Sequence, residues 1–203
     1  MKVRYRFKQA ETPEEFEQIF RLNHAVFAGE LEQHPTQPGE RLVDKFHDKN
    51  RYVIALVGDQ IIGMISVNDQ PPFSVAAKLA DPSVLDDYGR LLEVRLLAVD
   101  PPHRNGVVMA GLMLGVYEHA RDFDAMVISG RVEKAGIYHE LGFRDLGPPV
   151  PSGEAMYVPM AIRVADLAER QARWQRRLTK SYRSPTKLGV SLHVRHAAIH
   201  LFL

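Results

Sequence analysis

Three features of the chain predict a mixed α/β fold: an alternating strand followed at once by a capped helix, a β-branched hairpin, and a strand–turn–helix unit succeeded by strand, helix and strand. With 203 residues and 45% hydrophobic content, the sequence can bury one good core, the size of one domain with an appendage.

Val3, Tyr5 and Phe7 alternate with Arg4, Arg6 and Lys8, the period-2 pattern of a half-buried strand over residues 2–8. Thr12-Pro13-Glu14-Glu15 supplies an N-cap, a proline at the first helical position and an acid three residues after the cap. Phe16, Ile19, Phe20, Asn23 and Phe27 follow at helical spacing, so a helix is expected over about residues 13–27. Residues 28–50 are polar, with Pro35, Pro38 and Gly39, and read as a long connection with a short helix near 42–46. Connections of that length in a compact domain are functional or disordered.

Arg51–Val57 and residues 61–67 form a hairpin through Gly58-Asp59-Gln60, ended by Pro71-Pro72. A weakly helical stretch over 74–88 leads to the strand-like run Leu91–Val99, which carries Glu93 and Arg95 inside it. The helix expected from Gly106 to about Arg121 turns Val107, Ala110, Leu114 and Tyr117 or Val116 inward, and Met109 and Met113, four apart, read as core. A strand over 125–129, a helix over 133–141, a loop over 147–153 and a strand over 157–162 complete the domain, set at residues 1–163. A basic helical C-terminal extension, 164–203, opens with an amphipathic helix over 164–179.

The formal charge of +1 hides an asymmetry. Residues 1–162 hold 17 Lys/Arg against 23 Asp/Glu, whereas residues 163–203 hold 9 against 2. Such a tail fits nucleic acid, anionic lipid or an acidic protein, and equally a solvated helix on an acidic body. Without cysteine there is no disulfide framework, thiolate metal site or cysteine nucleophile. No run is long and apolar enough to span a membrane, and Met1-Lys2-Val3-Arg4-Tyr5-Arg6 alternates charge instead of opening a signal peptide, so a cytoplasmic protein is expected.

The first N–H groups of a helix have no intrahelical partners and, with the helix dipole, make an anion site. Here Leu97, Ala98 and Val99 end a strand, Asp100-Pro101-Pro102-His103 turns the chain, and Arg104, Asn105 and Gly106 lead into Val107, Val108 and Met109. Asn105-Gly106 lets the backbone turn sharply and approach a ligand, and Arg104 offsets phosphate charge. A strand-to-helix turn carrying Gly and Arg for structural reasons alone shows the same letters, so both readings stand.

Ala98-Val99-Asp100-Pro101 with Arg104, and then Ile137-Tyr138-His139-Glu140-Leu141-Gly142-Phe143, resemble the acyl-carrier turn and the terminal Tyr-x-x-Leu-Gly-Phe motif of GNAT acyltransferases. The resemblance covers residues 3–162 by element order and is specific mainly in 91–143. It implies a GNAT-like central, mostly antiparallel mixed sheet flanked by helices. It also implies an N-acyltransferase that moves an acyl group from a CoA thioester to the amine of a small molecule or amino acid. Acetyl-CoA or acyl-CoA is then a co-substrate, and no cofactor is tightly bound.

The family's turn usually reads Gln/Arg-x-x-Gly-x-Gly/Ala, and neither Arg104-Asn105-Gly106-Val107-Val108-Met109 nor the register from His103 supplies the second small residue. A bulky side chain there limits the approach of a pyrophosphate. Arg131 stands where many members have Asn, seven residues before Tyr138. Val26-Phe27-Ala28-Gly29-Glu30 and Asp44-Lys45-Phe46-His47 resemble the N-terminal substrate region of acyl-homoserine-lactone and N-acyl amino acid synthases, where Asp-x-Phe-Asp is common and His47 replaces the second acid. Glu93-Val94-Arg95-Leu96-Leu97-Ala98-Val99 is similar to their central strand, with the Arg shifted by one position. That branch takes long acyl groups from acyl carrier protein, which makes the carrier protein the alternative donor and a protein partner. A third reading is a non-catalytic ligand- or partner-binding domain on the same scaffold.

Acyl transfer to an amine needs a deprotonated nucleophile, a polarised thioester carbonyl and a proton for the leaving thiolate. Tyr138 is the proton donor implied by the resemblance, or else an aromatic packing the helix–strand junction. Glu93 is the candidate base, since a carboxylate among apolar neighbours must be paired or take up a proton; a structural ion pair with Arg95 is the alternative. Phe27, Glu30, His47, Arg95 and Ser129 are expected at the acceptor, and a backbone N–H near Val99 at the oxyanion. His34, His47 and His103 lie in loops or turns, where surface histidines are common. No His or acid pair has a metal-ligand spacing, nothing asks for nucleic acid, and oligomer formation is left open.

Overall fold

The structure, a computed structural model, describes residues 3–167. Its elements are β1 (Tyr5–Gln9), α1 (Pro13–Asn23), β2 (Arg51–Val57), β3 (Gln60–Asn68), β4 (Leu91–Val99), α2 (Gly106–Ala120), β5 (Ala125–Arg131), α3 (Ala135–Leu141), β6 (Arg144–Asp145), β7 (Val150–Ser152) and β8 (Ala155–Arg163). Among the described residues the strands form an open, mostly antiparallel sheet in the order β1-β2-β3-β4-β5-β8-β6, with β7 on β8, flanked by helices. This is the mixed α/β class expected. The residues fall into two compact units, 3–66 with 96–118 and 67–95 with 119–167.

In the first unit, Thr12 and Glu15 close a reciprocal capping box on α1, and Lys8 reaches Glu15 at 2.7 Å. The helix does not stop at residue 27. It passes into a π-helical stretch, His24–Glu30, whose wider turn carries the chain three residues further. β1 starts three residues later than expected and pairs antiparallel with β2 from Tyr5↔Val57 to Gln9↔Val53. Ile19, Phe20, Val26, Tyr52, Ile54, Leu56, Met64 and Ala98 are buried together.

The inward face of α2 is Val108, Leu112, Val116 and Ala120; of the face expected, Val116 is buried while Val107, Ala110, Leu114 and Tyr117 are only partly so, and Met109 is 41% exposed. Nearly every side of this helix is apolar, so periodicity could not pick the face. Gly111 settles it, because a Cβ there would overlap the Phe7 ring. The short helix sought near 42–46 is a 3-10 turn at His47–Lys49. Leu96 sits at φ 54° within β4, a left-handed conformation rare for a branched residue.

In the second unit, residues 74–88 form two 3-10 turns, Ala76–Lys78 and Pro82–Tyr88, instead of an α-helix. β4 and β5 run parallel over Leu91–Glu93, and β5 pairs antiparallel with β8 along its whole length, from Ala125↔Arg163 to Arg131↔Tyr157. Val75, Leu85, Leu91, Ala125, Val127 and Ala161 form the core. The stretch expected as a loop, 147–153, contributes the short strand β7, and β6 forms just before it. α3 ends on Gly142 at φ 101°, and the Phe143 N–H donates back to the Tyr138 carbonyl at 3.0 Å. Residues 164–167 are helical, and the rest of the expected C-terminal extension lies outside the described residues. No helix among the described residues is long and apolar enough to cross a membrane.

Candidate functional site

The end of β4, the turn and all but the last two residues of α2, residues 96–118, lie in the first unit. Leaving β4, the Asp100 N–H donates to the Ile62 carbonyl, and Pro101–His103 makes one 3-10 turn. Asn105 then caps α2: its Oδ1 accepts from the N–H groups of Val107 at 3.0 Å and Val108 at 3.1 Å. The same side chain donates through Nδ2 to the Tyr5 hydroxyl at 3.1 Å, and Tyr5 meets the His103 ring edge to face. β1 thereby holds the turn. A Cβ at Gly106 would meet nothing within 4 Å, so the protein itself does not require glycine there and the space above it is open.

Arg104 is spoken for. Its Nε donates to the Val99 carbonyl at 2.9 Å, and both terminal nitrogens grip the Glu30 carboxylate. The bond to Arg104 holds Glu30 below the usual carboxylate range and raises Arg104 in turn. Leu97 is half-buried, Ala98, Val99 and Val108 are buried, and Arg104, Asn105, Gly106 and Met109 are exposed. Glu30, expected at the acceptor, is thus placed with the turn.

Phe27 packs against the first core, and its carbonyl accepts from the Gln33 and His34 N–H groups. His47 stands in an aromatic box, with Phe20 at 4.9 Å, Phe16 at 5.4 Å and Tyr52 at 5.7 Å between ring centroids. Its Nδ1 lies 3.2 Å from the Tyr52 hydroxyl. The imidazole that replaces the second acid of Asp-x-Phe-Asp is therefore used in packing.

Tyr138, Glu93, Arg95 and Ser129 belong to the second unit. The Tyr138 ring lies over Gly130, where a Cβ would come within 2.7 Å of it, and meets Phe143 edge to face. Burial, with Tyr157 adding to it, pushes the phenol above its ordinary 10.0. Glu93 is 0% exposed and accepts three hydrogen bonds: Ser74 N–H at 3.0 Å, Ser74 Oγ at 2.7 Å and Val75 N–H at 2.7 Å. Arg95 lies 4.0 Å away. Oxygens committed in this way, out of reach of solvent, describe an anchor for the 74–75 segment more than a base. Ser129 Oγ is buried with no hydrogen-bond partner among the described residues, and no cluster of metal-ligating side chains occurs among them.

Comparison with known proteins gives this geometry a lineage. The family model described as N-acyl amino acid synthase FeeM matches residues 18–163. The chain belongs to the FeeM N-acyl amino acid synthase family. Among solved structures it is similar to FeeM itself, an N-acyl amino acid synthase from uncultured soil microbes, at 17% identity and TM-score 0.66 over 81% of this chain and 93% of that one. It is similar to the CoA-dependent acyl-homoserine lactone synthase BjaI at 20% identity and TM-score 0.66 over 97% and 96% of the two chains. A putative N-acetyltransferase from Lactobacillus plantarum follows at 16% identity and TM-score 0.58, over 79% and 98%. No curated protein matches the sequence. The chain is thus an enzyme of the N-acyltransferase class, which sets aside the non-catalytic reading.

Proposed function

We propose that this FeeM-family chain is an N-acyl amino acid synthase acting in the cytoplasm, with an acyl group delivered as a thioester on acyl carrier protein. The acceptor ammonium loses a proton to solvent and the amine attacks the thioester carbonyl; the C–N bond forms, the C–S bond breaks, the phenol of Tyr138 protonates the departing thiolate, and the proton the new amide nitrogen sheds restores the phenol. Tyr138 carries this reading. It is the phenol of the Tyr-x-x-Leu-Gly-Phe motif, it carries a proton at neutral pH as phenols do, and its ring is fixed over Gly130 and against Phe143. Glu93 is assigned to positioning, through Ser74, Val75 and Arg95. Arg95 is the proposed partner for the acceptor's carboxylate, and the unpartnered Ser129 hydroxyl for its amine.

A CoA thioester is the donor the motif resemblance first implies, and two features of the turn favour the carrier protein over it. The α2 amides of Val107 and Val108 are already capped by Asn105, and the Arg104 guanidinium already holds a carboxylate. Mass spectrometry of reactions offering acyl carrier protein or acyl-CoA with mixed amino acids tests the reaction, with N-acyl amino acid expected from the carrier-protein arm. Tyr138→Phe is expected to lower kcat about 100-fold with little change in donor KM. Absence of product from either donor sinks the reaction; full turnover in the variant removes Tyr138 from it.

A further inference from the structure

We propose that Glu30 biases the choice of donor: it is a built-in anion that occupies Arg104 and so weakens the binding of nucleoside-diphosphate carriers at the turn. The inference rests on the acyl-transfer reading for its meaning, though its physical content concerns binding alone. Arg104 offers a planar fork of N–H donors, the geometry with which guanidinium binds carboxylate or phosphate in paired bonds. One edge already carries Glu30 Oε1 on Nη1 at 2.6 Å and Glu30 Oε2 on Nη2, while Nε is turned to the Val99 carbonyl at 2.9 Å. A phosphate that takes that edge in paired bonds must therefore displace a carboxylate of its own sign.

The second device at such turns, the N–H groups at the start of the helix, is satisfied from within by Asn105 Oδ1. CoA brings a diphosphate and a further ribose phosphate, whereas a carrier protein presents its pantetheine arm through a single phosphodiester and adds a protein surface. An occupied guanidinium thus penalises CoA more. The side chains of Arg104 and Glu30 are 41% and 39% exposed, so the pair opens without great cost and the selection is one of degree.

Isothermal titration of the whole chain with CoA alone tests this. Glu30→Gln and Glu30→Ala are expected to bind CoA about fivefold more tightly than the wild type. The gain should vanish when Arg104→Ala is added, and Glu30→Asp, which keeps the charge, should resemble the wild type. Circular dichroism melts identify the variants that fold. The proposal is overturned if folded Glu30→Gln and Glu30→Ala bind CoA no better than the wild type, if none of the proteins binds it detectably, or if the gain survives Arg104→Ala. Product formation from acyl carrier protein is recorded on the same preparations. Tighter CoA binding without product in any of them keeps the selector and sinks the reaction; product with unchanged CoA affinity does the reverse.

Discussion

Tyr138 takes its chemistry from what is missing beneath it. Gly130 lets the ring lie on the β5 backbone, and burial there raises the phenol above its ordinary value. Gly130→Ala should push the ring away, with turnover falling about tenfold and stability by about 1–3 kcal/mol, the usual cost of overpacking. Steady-state kinetics beside a thermal melt will check it, and full turnover in a destabilised protein would show that ring position does not govern the chemistry. At this scale the sequence was readable wherever partners are close along the chain. Tyr138, Gly142 and Phe143 form one local unit, a helix end with its left-handed glycine and returning N–H. Asn105 was read only for the turn it makes with Gly106, and its capping of α2 came from the structure. The Glu30–Arg104 pair was not legible, because 74 residues separate its members and either charge alone is unremarkable on a surface. The surroundings of His47 were hidden for a similar reason: its box is drawn from α1 and β2.

Helix α2 shows how elements can be found and still be misoriented. Its limits were read nearly to the residue, yet its inward face was misjudged because apolar residues surround it. The small residue at Gly111 is what seats it against Phe7. Gly111→Ala is therefore expected to cost about 1–3 kcal/mol, whereas Gly106→Ala, at the open end of the same helix, should change stability by no more than about 0.5 kcal/mol. Urea midpoints of the two variants decide this, and equal midpoints would refute the seating. The π-helical turn after α1 and the left-handed Leu96 in β4 have no letter code, since ordinary residues adopt them under tertiary constraint. The brief strand β7 lay hidden in the Gly- and Pro-rich stretch 147–153 that reads as loop, and the two residues of β6 just before it are too few to show a period.

Over the whole molecule, acid should be the most informative stress. Burial works against the charge of Glu15, but the bond from Lys8 and the N–H groups of Glu11 and Thr12 outweigh it; for Glu30 the bond from Arg104 leads. Both carboxyls stand below their ordinary 4.5 when folded, so their contribution to stability is complete above that pH and is lost as pH falls through the folded values. Urea midpoints should be level down to about pH 5 and then decline toward about pH 3, with a shallower decline in Glu15→Gln. A midpoint flat across that range would contradict the assignment. The mixed α/β class was legible at this scale because strand and helix periods alternate along the chain, while the division into two cores was not, since neither follows a contiguous stretch of sequence. That interleaving matters during synthesis. The first unit needs residues 96–118, so all of residues 67–95, most of the second unit's early half, leave the ribosome before it can close. A nascent chain stalled just after Ser66 holds β1, α1 and β2 but lacks α2, whose Gly111 is the seat for Phe7. Its apolar strands must wait, uncovered, for about fifty further residues to arrive, the interval in which a chaperone has most to hold.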